Sequence, residues 1–541
     1  MKKNDIIELD ITALTSEGSG IGRYDGMAVF VPNSAVGDRA VCKVLKVKSS
    51  YAYAKIEQLI KPSDDRIEPD CPVYTKCGGC VFRHINYQAE LKAKEGFVRD
   101  SFKRIGGFDI EPEPILGCKA TNRYRNKVQL PMSSDNETPF CGFFSPRSHR
   151  VVRFDDCYLQ PEIFSDICKS VCEYMRVNNI SVYDETVRKG LVRHIYLRQG
   201  ANSGEIMLVI VASKRTVAFD SISDELIKKF PMIKTVVLNV NDMDTNVILG
   251  CEDICLYGSG RISDTMCDKI VEISAHSFYQ INTSAAENVY KIAADYAQLT
   301  GKETLLDLYC GIGTVGLSMA DKVKKLIGVE VIEDAVENAK KNAVRNGVKN
   351  SEFICGDAGK IASLLEKRGE RPDVIVVDPP RKGCDELTLN SIAKMSPERV
   401  VYISCNHATC ARDIKYLSQM GYELKRYRPC DLFPRTNHVE TVVLLSKGEI
   451  DSKKVRVEFS LEDMDMSGFQ QGATYEQIKA YVLEHTGLKV SSLYISQIKR
   501  KCGLDVGQNY NLSKKEDAKV PQCPPEKEAA ITEALKFFGM I

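Results

Sequence analysis

LLDLYCGIGT, residues 305–314, is an apolar segment of strand length that runs into a glycine-rich turn. Glycine lets the backbone approach a ligand closely where a strand ends. The next apolar segment ends in Glu330, at a position where a carboxylate can accept hydrogen bonds from ribose hydroxyls. A GxG pair without a third glycine is only part of a dinucleotide-binding pattern, so a strand–helix turn without a ligand is the alternative.

Strand-length apolar segments and helical segments alternate from residue 277 onward. This alternation predicts a mainly parallel sheet with helices on both faces. Two further carboxylates, Asp357 and Asp378, follow the third and fourth strands, so glycine and acidic positions at successive strand ends should meet in one crevice. The order DxxCGxG, Glu, Asp and DPP resembles that of S-adenosylmethionine-dependent methyltransferases.

The composition of the 541 residues is globular, with 43% hydrophobic and 27% charged residues. Lysine and arginine number 74 against 73 aspartates and glutamates, which argues against a globally basic nucleic-acid binder but allows local basic stretches such as 121–153 and 486–519. No apolar run approaches the roughly 20 residues of a membrane span. The segment MKKNDIIELD turns acidic where a signal peptide is apolar. We expect a cytoplasmic monomer without a membrane partner.

Four regions follow one another along the chain and predict an α/β multidomain protein. Short strands broken by glycine indicate a small OB-like β-barrel at 1–60, where interleaved lysines and tyrosines suit RNA, although a solvated strand face is the alternative. A central α+β domain at 61–275 contains a cysteine cluster. The alternating strands and helices of 276–448 predict a Rossmann-like domain, and 449–541 is a charged helical extension.

A candidate nucleophile, Cys405, follows the strand VVYIS and precedes a helix that should begin near Ala408. The helix dipole lowers the pKa of a thiol at a helix N-terminus, so we expect a reactive thiolate at the rim that carries the glycine turn. Glu440 opens the final apolar strand. If it is buried, its carboxyl has a raised pKa and can act as a base; if it faces water, it has no such role.

Six motifs in order resemble the RNA (uracil-5-)-methyltransferase family of bacterial tRNA and 23S rRNA enzymes. The motifs are FYQIN (278–282), LDLYCGIGT (306–314), GVE (328–330), DPPRKGC (378–384), YISCN (402–406) and HVETVV (438–443). The resemblance implies that Cys405 is the nucleophile and Glu440 the general base. It also implies that S-adenosylmethionine is contacted by Gln280, Tyr309, Glu330 and Asp378.

The chemistry of uracil explains why these residue types are needed. C5 of uracil is a poor nucleophile, but a thiolate that adds to C6 makes C5 enolate-like, so that C5 can take a methyl group. A base then removes the proton from C5, and the thiol is eliminated. Cytosine-5 methyltransferases share the cysteine, whereas HVET favours uracil. The alternatives that stay open are tRNA in place of 23S rRNA, and a nucleic-acid-binding regulator with a non-catalytic methyltransferase fold.

Three cysteines, Cys71, Cys77 and Cys80, lie in the short loop CPVYTKCGGC. With Cys157 as a fourth thiol, the spacing suits either zinc or an iron–sulfur cluster, and four unrelated thiols are the alternative. The family resemblance implies a [4Fe–4S] cluster bound by all four, as in the 23S rRNA branch. We expect a structural role for it, ordering the basic segment 121–153 for RNA.

The two ends of the chain differ in how far the resemblance reaches. The N-terminal barrel resembles the TRAM domain of this family, whereas 449–541 has no counterpart. Within the extension, TYEQIKAYVLEHTGLKVSSLYISQIKRKCGL predicts two helices and a glycine turn, with Ser491 and Ser492 at the second N-cap. This pattern is typical of a helix-turn-helix with Lys499, Arg500 and Lys501 exposed for phosphates, or of a packing module with a solvated basic face.

Overall fold

A computed structural model describes residues 1–448, 475–504, 522–538 and 540–541. The described residues form two compact units, one up to residue 448 and one from residue 475 onward. Among the helices described, none combines the length and the apolar character that crossing a membrane requires.

The first unit begins with a closed five-stranded barrel in the order β1-β2-β3-β5-β4. Its strands are β1 (Ile6–Leu14), β2 (Gly20–Tyr24), β3 (Met27–Val31), β4 (Arg39–Val47) and β5 (Tyr51–Lys61). Buried and exposed residues alternate along β1, which places Ile7, Leu9 and Ile11 inside the barrel. The barrel predicted for 1–60 is therefore confirmed.

A mixed seven-stranded sheet follows, in the order β12-β11-β10-β9-β6-β7-β8. Its strands are β6 (Lys127–Asp135), β7 (Thr138–Phe144), β8 (Val151–Arg153), β9 (Val192–Gln199), β10 (Ile206–Ala212), β11 (Ile233–Val240) and β12 (Glu252–Tyr257). The helices of this region are α1 (Tyr87–Ser101), α2 (Glu162–Val177) and α3 (Ile222–Lys229). Strand β10 is buried along its whole length because α2 and α3 cover one face and residues from Ile262 onward cover the other.

A hairpin of β13 (Arg261–Met266) and β14 (Lys269–Ser274) leads into the second seven-stranded sheet. That sheet contains β15 (Thr304–Leu308), β16 (Lys325–Glu330), β17 (Ser351–Cys355), β18 (Val374–Val377), β19 (Arg399–Ser404), β20 (Tyr422–Cys430) and β21 (Glu440–Lys447). The order is β17-β16-β15-β18-β19-β21-β20, and β21 runs antiparallel to both of its neighbours.

Helices cover both faces of this second sheet, as the alternation predicted. They are α4 (Thr283–Ala297), α5 (Thr314–Met319), α6 (Glu333–Arg345), α7 (Ala358–Lys367), α8 (Glu386–Met395) and α9 (His407–Gln419). The first three pack in one core and the last three in the other. The strand order reverses between β15 and β18, and such a switch point is where α/β sheets open a crevice for ligands.

The second unit contains α10 (Tyr475–Thr486), α11 (Ser492–Lys501) and α12 (Pro525–Phe537), which share a small apolar core. Ser491 caps α11 by accepting from the amide of Tyr494, as predicted. The prediction that Lys499 is exposed is wrong: its side chain is buried and its ammonium lies 4.9 Å from the centre of the Tyr475 ring. The ammonium of Lys501 lies 2.6 Å from the Glu528 carboxylate. A basic stretch of sequence therefore need not be a basic surface.

Candidate active site

A crevice of about 610 Å³ opens at the switch point between β15 and β18. This volume lies in the range of small-molecule pockets. Its lining contains all six residues that the sequence singled out for cofactor binding and catalysis: Gln280, Tyr309, Glu330, Asp378, Cys405 and Glu440. Asp357 lies there as well. The carboxyl ends of the parallel strands share this edge of the sheet, where the antiparallel β21 begins at Glu440, whereas Gln280 lies in the loop before α4.

The glycine turn is held in place by Glu330. The carboxylate accepts from the amide of Gly311 at 3.1 Å through one oxygen, and from the amides of Val331 and Ile332 at 2.8 and 2.9 Å through the other. Gly313 has φ +86°, a left-handed conformation that suits glycine. Glu330 thus shapes the end of the crevice where the sequence predicted a nucleoside.

Two hydrogen bonds from Asn126 hold the backbone at Gln280 and Ile281. The side-chain amide of Asn126, just before β6, donates to the carbonyl of Gln280 at 2.9 Å, and the backbone amide of Asn126 donates to the carbonyl of Ile281 at 2.8 Å. The Tyr290 hydroxyl lies 3.4 Å from that of Thr314 and also hydrogen-bonds with the side chain of Gln280. The central domain therefore helps to form the wall of the crevice.

Cys405 lies between the end of β19 and the start of α9, as predicted. Asn406 caps α9, since its side-chain oxygen accepts from the amides of Ala408 and Thr409. The prediction that the helix N-terminus lowers the pKa of the Cys405 thiol is wrong. Burial raises the pKa of Cys405 to about 11, the nearby Glu440 and Asp378 add to the effect, and only Arg381 opposes it.

Glu440 is buried rather than facing water, which settles the alternative left by the sequence. Burial raises its pKa to about 8, the neighbouring Asp378 adds to the shift, and Arg381 counters it. Burial likewise raises the pKa of Asp378 to about 7. A carboxyl with a pKa near neutrality can both take up and release a proton, which is what a general base requires.

Arg381 also contacts His438, whose ring nitrogens lie 3.1 and 3.3 Å from the guanidinium nitrogen Nη2. The pKa of His438 is lowered to about 4, chiefly by burial and in part by the charge of Arg381. Arg381 and His438 belong to the sequence motifs DPPRKGC and HVETVV. Phe433, which lines the crevice, was missed because it carries no motif of its own.

The four cysteines of the predicted cluster line a second cavity, which shares no lining residue with the crevice. They are Cys71, Cys77, Cys80 and Cys157. Burial raises the pKa of Cys80 to about 11, and the charges of Cys157 and Cys77 contribute to that shift. Within the described ranges, no set of three or more His, Cys, Asp or Glu side chains is placed to hold a metal ion.

The fold, the switch-point crevice and its acidic strand ends are those of a methyltransferase that uses S-adenosylmethionine. The family model and the similar proteins identify it as an RNA methyltransferase. The chain belongs to the tRNA (Uracil-5-)-methyltransferase family, whose sequence model matches residues 86–448. A TRAM domain model matches residues 2–56, which lie within the barrel.

Similar proteins match most of the chain. An uncharacterized RNA methyltransferase of Halalkalibacterium halodurans is 42% identical over 82% of this chain and 98% of its own length. One from Clostridium tetani is 39% identical over 82% and 97%. The crystal structure of the Pyrococcus abyssi tRNA (uracil-54, C5)-methyltransferase with S-adenosyl-L-homocysteine is 26% identical, covers 81% of this chain and 100% of its own, and has a TM-score of 0.65.

Proposed function

We propose that this enzyme methylates C5 of a uridine in RNA, with Cys405 as the nucleophile and Glu440 as the general base. The observation that carries the proposal is that both side chains line the crevice that the glycine turn enters. The Pyrococcus abyssi structure, a uracil C5 methyltransferase with S-adenosyl-L-homocysteine, supports the same use of this crevice. Gln280, Tyr309, Glu330 and Asp378 are the proposed cofactor contacts.

The proposed reaction begins with loss of the Cys405 proton. Burial and the two nearby carboxyls hold the pKa of this thiol at about 11. The proton is given up to solvent, and Arg381 favours this loss by pairing with the thiolate. Cys405 then forms a bond to C6 of the uracil, which moves an electron pair toward C5. S-adenosylmethionine supplies an electrophilic methyl group.

Glu440 completes the reaction in this proposal. Its carboxylate takes the C5 proton after methylation, and the electron pair released re-forms the C5–C6 double bond as the sulfur of Cys405 leaves. The proton that Glu440 took from C5 then passes to the thiolate, which restores the Cys405 thiol and the Glu440 carboxylate. The raised pKa of Glu440 suits this step because a carboxyl near neutrality is a stronger base than an ordinary one.

We infer that the substrate is 23S rRNA rather than tRNA. The inference depends on the four-cysteine cavity, since that set resembles the 23S rRNA branch of the family. Mapping 5-methyluridine in RNA from a strain lacking the gene tests it directly. Loss of the modification from 23S rRNA alone is the expected result, and loss from tRNA alone would overturn the assignment.

The same four cysteines are proposed to hold a [4Fe–4S] cluster. The support for this proposal is that four thiols line one cavity and that thiolates are the usual ligands of such clusters. Arg123 of the basic segment donates to the carbonyl of Cys157 at 3.0 Å and pairs with Asp156. A cluster bound there would order this segment rather than take part in methyl transfer.

Substitution of Cys405 by alanine is the sharpest test of the proposed chemistry. Cys405→Ala should abolish methyl transfer to RNA while calorimetry shows S-adenosylmethionine affinity close to that of the wild type. Cys355→Ala is the matched control, because Cys355 is an exposed thiol at the end of β17, an edge strand of the same sheet. Retained turnover in Cys405→Ala would refute the nucleophile assignment.

A further inference from the structure

The connection between β20 and β21, residues 431–439, is held by hydrogen bonds along most of its length. Four successive carbonyls in it each accept from a distant part of the chain. Leu432 accepts from Asn282 at 2.9 Å, Phe433 from Lys94 at 3.2 Å, Pro434 from Tyr124 at 2.9 Å, and Arg435 from the amides of Val81 and Phe82 at 2.8 and 3.1 Å. The 431–439 connection thus has a specified path although it is not regular structure.

Its path matters because both of its ends reach the crevice. Phe433 lines the crevice, His438 contacts Arg381, and Glu440 follows immediately as the first residue of β21. Cys430 and Glu440 are paired across the two strands, so the connection leaves the sheet and returns to it at the same level. A change in this path would therefore move the proposed base.

Arg435 is the residue through which the connection meets the cysteine segment. Its φ is +70°, an unusual conformation for a residue with a Cβ and one that persists only when the surroundings impose it. Its amide donates to the Glu90 carboxylate at 2.7 Å, and its guanidinium donates to the carbonyl of Ile85 at 3.0 Å. Ile85 lies between Cys80 and α1, and Glu90 lies in the first turn of α1.

The residues that directly follow Cys80 are hydrogen-bonded to the 431–439 connection. Val81, which donates to the Arg435 carbonyl, directly follows Cys80, and its own carbonyl accepts from the hydroxyl of Tyr74, between Cys71 and Cys77, at 2.7 Å. Glu90 and Lys94 are fully buried on α1 and join the same network, since Lys94 donates to Glu90 and to Asp431, each at 2.8 Å. Hydrogen bonds therefore join the residues after Cys80 directly to the 431–439 connection.

We propose that Arg435 is a positioning residue that transmits the order of the four-cysteine segment to Phe433, His438 and Glu440. The role assigned to the cysteine segment is then to fix the 431–439 connection, in addition to any contact with RNA. The proposal rests on the proposed function in one respect, namely that Glu440 acts in the chemical step.

The test compares Arg435→Gly with Arg188→Gly in the full-length protein as purified. Glycine adopts φ near +70° without strain, so the first variant removes side-chain contacts only. Arg188 is the matched control, because it has φ +56° and its guanidinium pairs with Asp244 on the surface. Two quantities are measured: the kinetic constants for methyl transfer, and the rate at which N-ethylmaleimide labels Cys80, followed by peptide mass spectrometry.

Arg435→Gly should lower kcat about 10- to 100-fold, because small misplacements of reacting groups cost rates of this order. The KM for S-adenosylmethionine should stay within about twofold, and labelling of Cys80 should become several-fold faster, because the lost side-chain contacts also held the residues that follow Cys80. Arg435→Lys should recover part of both effects, and it serves as the folded comparison if the glycine variant does not accumulate.

Three outcomes would overturn the proposal: unchanged kcat, a fall in kcat without faster Cys80 labelling, or equal effects in Arg188→Gly. Failure of the proposed function looks different. In that case the wild type itself would not methylate uridine, whereas the comparison of Cys80 labelling between the two glycine variants would still report on the coupling.

Discussion

Replacing Glu440 by glutamine should make the protein less sensitive to alkaline pH. The ordinary pKa of a glutamate is 4.5, and burial raises that of Glu440 to about 8. The folded state therefore binds a proton that the unfolded state releases between these two pH values. The stability associated with this proton is fully present below pH 4.5 and is lost as the pH rises to about 8.

The magnitude follows from the two pKa values. A difference of one pKa corresponds to about 1.4 kcal/mol, so the interval from 4.5 to about 8 corresponds to about 5 kcal/mol as an upper bound. Glutamine resembles the protonated carboxyl in size and charge and keeps this stability at every pH. The advantage of Glu440→Gln over the wild type should thus be small at pH 5 and several kcal/mol at pH 9.

Urea unfolding at pH 5, 7 and 9, carried out on both proteins, measures this difference. Glu337→Gln is the control, because Glu337 is exposed and its pKa is lowered by Lys340 rather than raised. The control should not gain stability at high pH. A difference between Glu440→Gln and the wild type that stays constant from pH 5 to 9 would show that Glu440 is not a buried carboxyl with a raised pKa.

Three further predictions concern the chemistry and the RNA. With RNA and S-adenosylmethionine, Glu440→Gln should accumulate a gel-stable protein–RNA adduct, because a base that acts after methyl transfer controls elimination; unchanged turnover without an adduct would place the base elsewhere. Protein purified without oxygen should be brown and contain equal iron and sulfide, and Cys80→Ser should lose both; a colourless zinc protein would refute the iron but not the ligand set. Removing 449–541 should reduce the salt dependence of RNA affinity without lowering maximal turnover. Arg500→Ala alone should lower the slope of RNA affinity against salt by about 1 if Arg500 contacts one phosphate. Equal salt slopes would show that the extension does not touch phosphate.

The second unit shows where a local pattern misled. The two predicted helices are present, with Ile478 and Val482 in the apolar core of the unit, and Ser491 is the predicted N-cap. Spacing along one helix cannot show which charged residues another element covers. Lys499 packs over Tyr475 of the preceding helix. Lys501 pairs with Glu528, which lies on α12 and is therefore distant along the chain.

Cys405 shows the same limit at the crevice. Its place after a strand and before a helix follows from the local sequence, whereas the structure adds the helix cap at Asn406. The sign of its pKa shift does not, because Glu440 and Asp378 reach it from two other strands. The helix dipole acts over one turn, whereas burial and two carboxyls act on the thiol directly.

The sequence by itself determined the barrel, the mainly parallel sheet, the order of motifs around the crevice and the family. These features are readable because alternation and spacing along a strand place residues at a given face and end whatever the rest of the fold does. Only the tertiary structure decided that Glu440 is buried, that Lys499 is covered, and that Arg435 joins the 431–439 connection to the cysteine segment. Burial and electrostatics depend on neighbours that are distant along the chain, such as Val81 and Arg435, and no local pattern specifies such pairs.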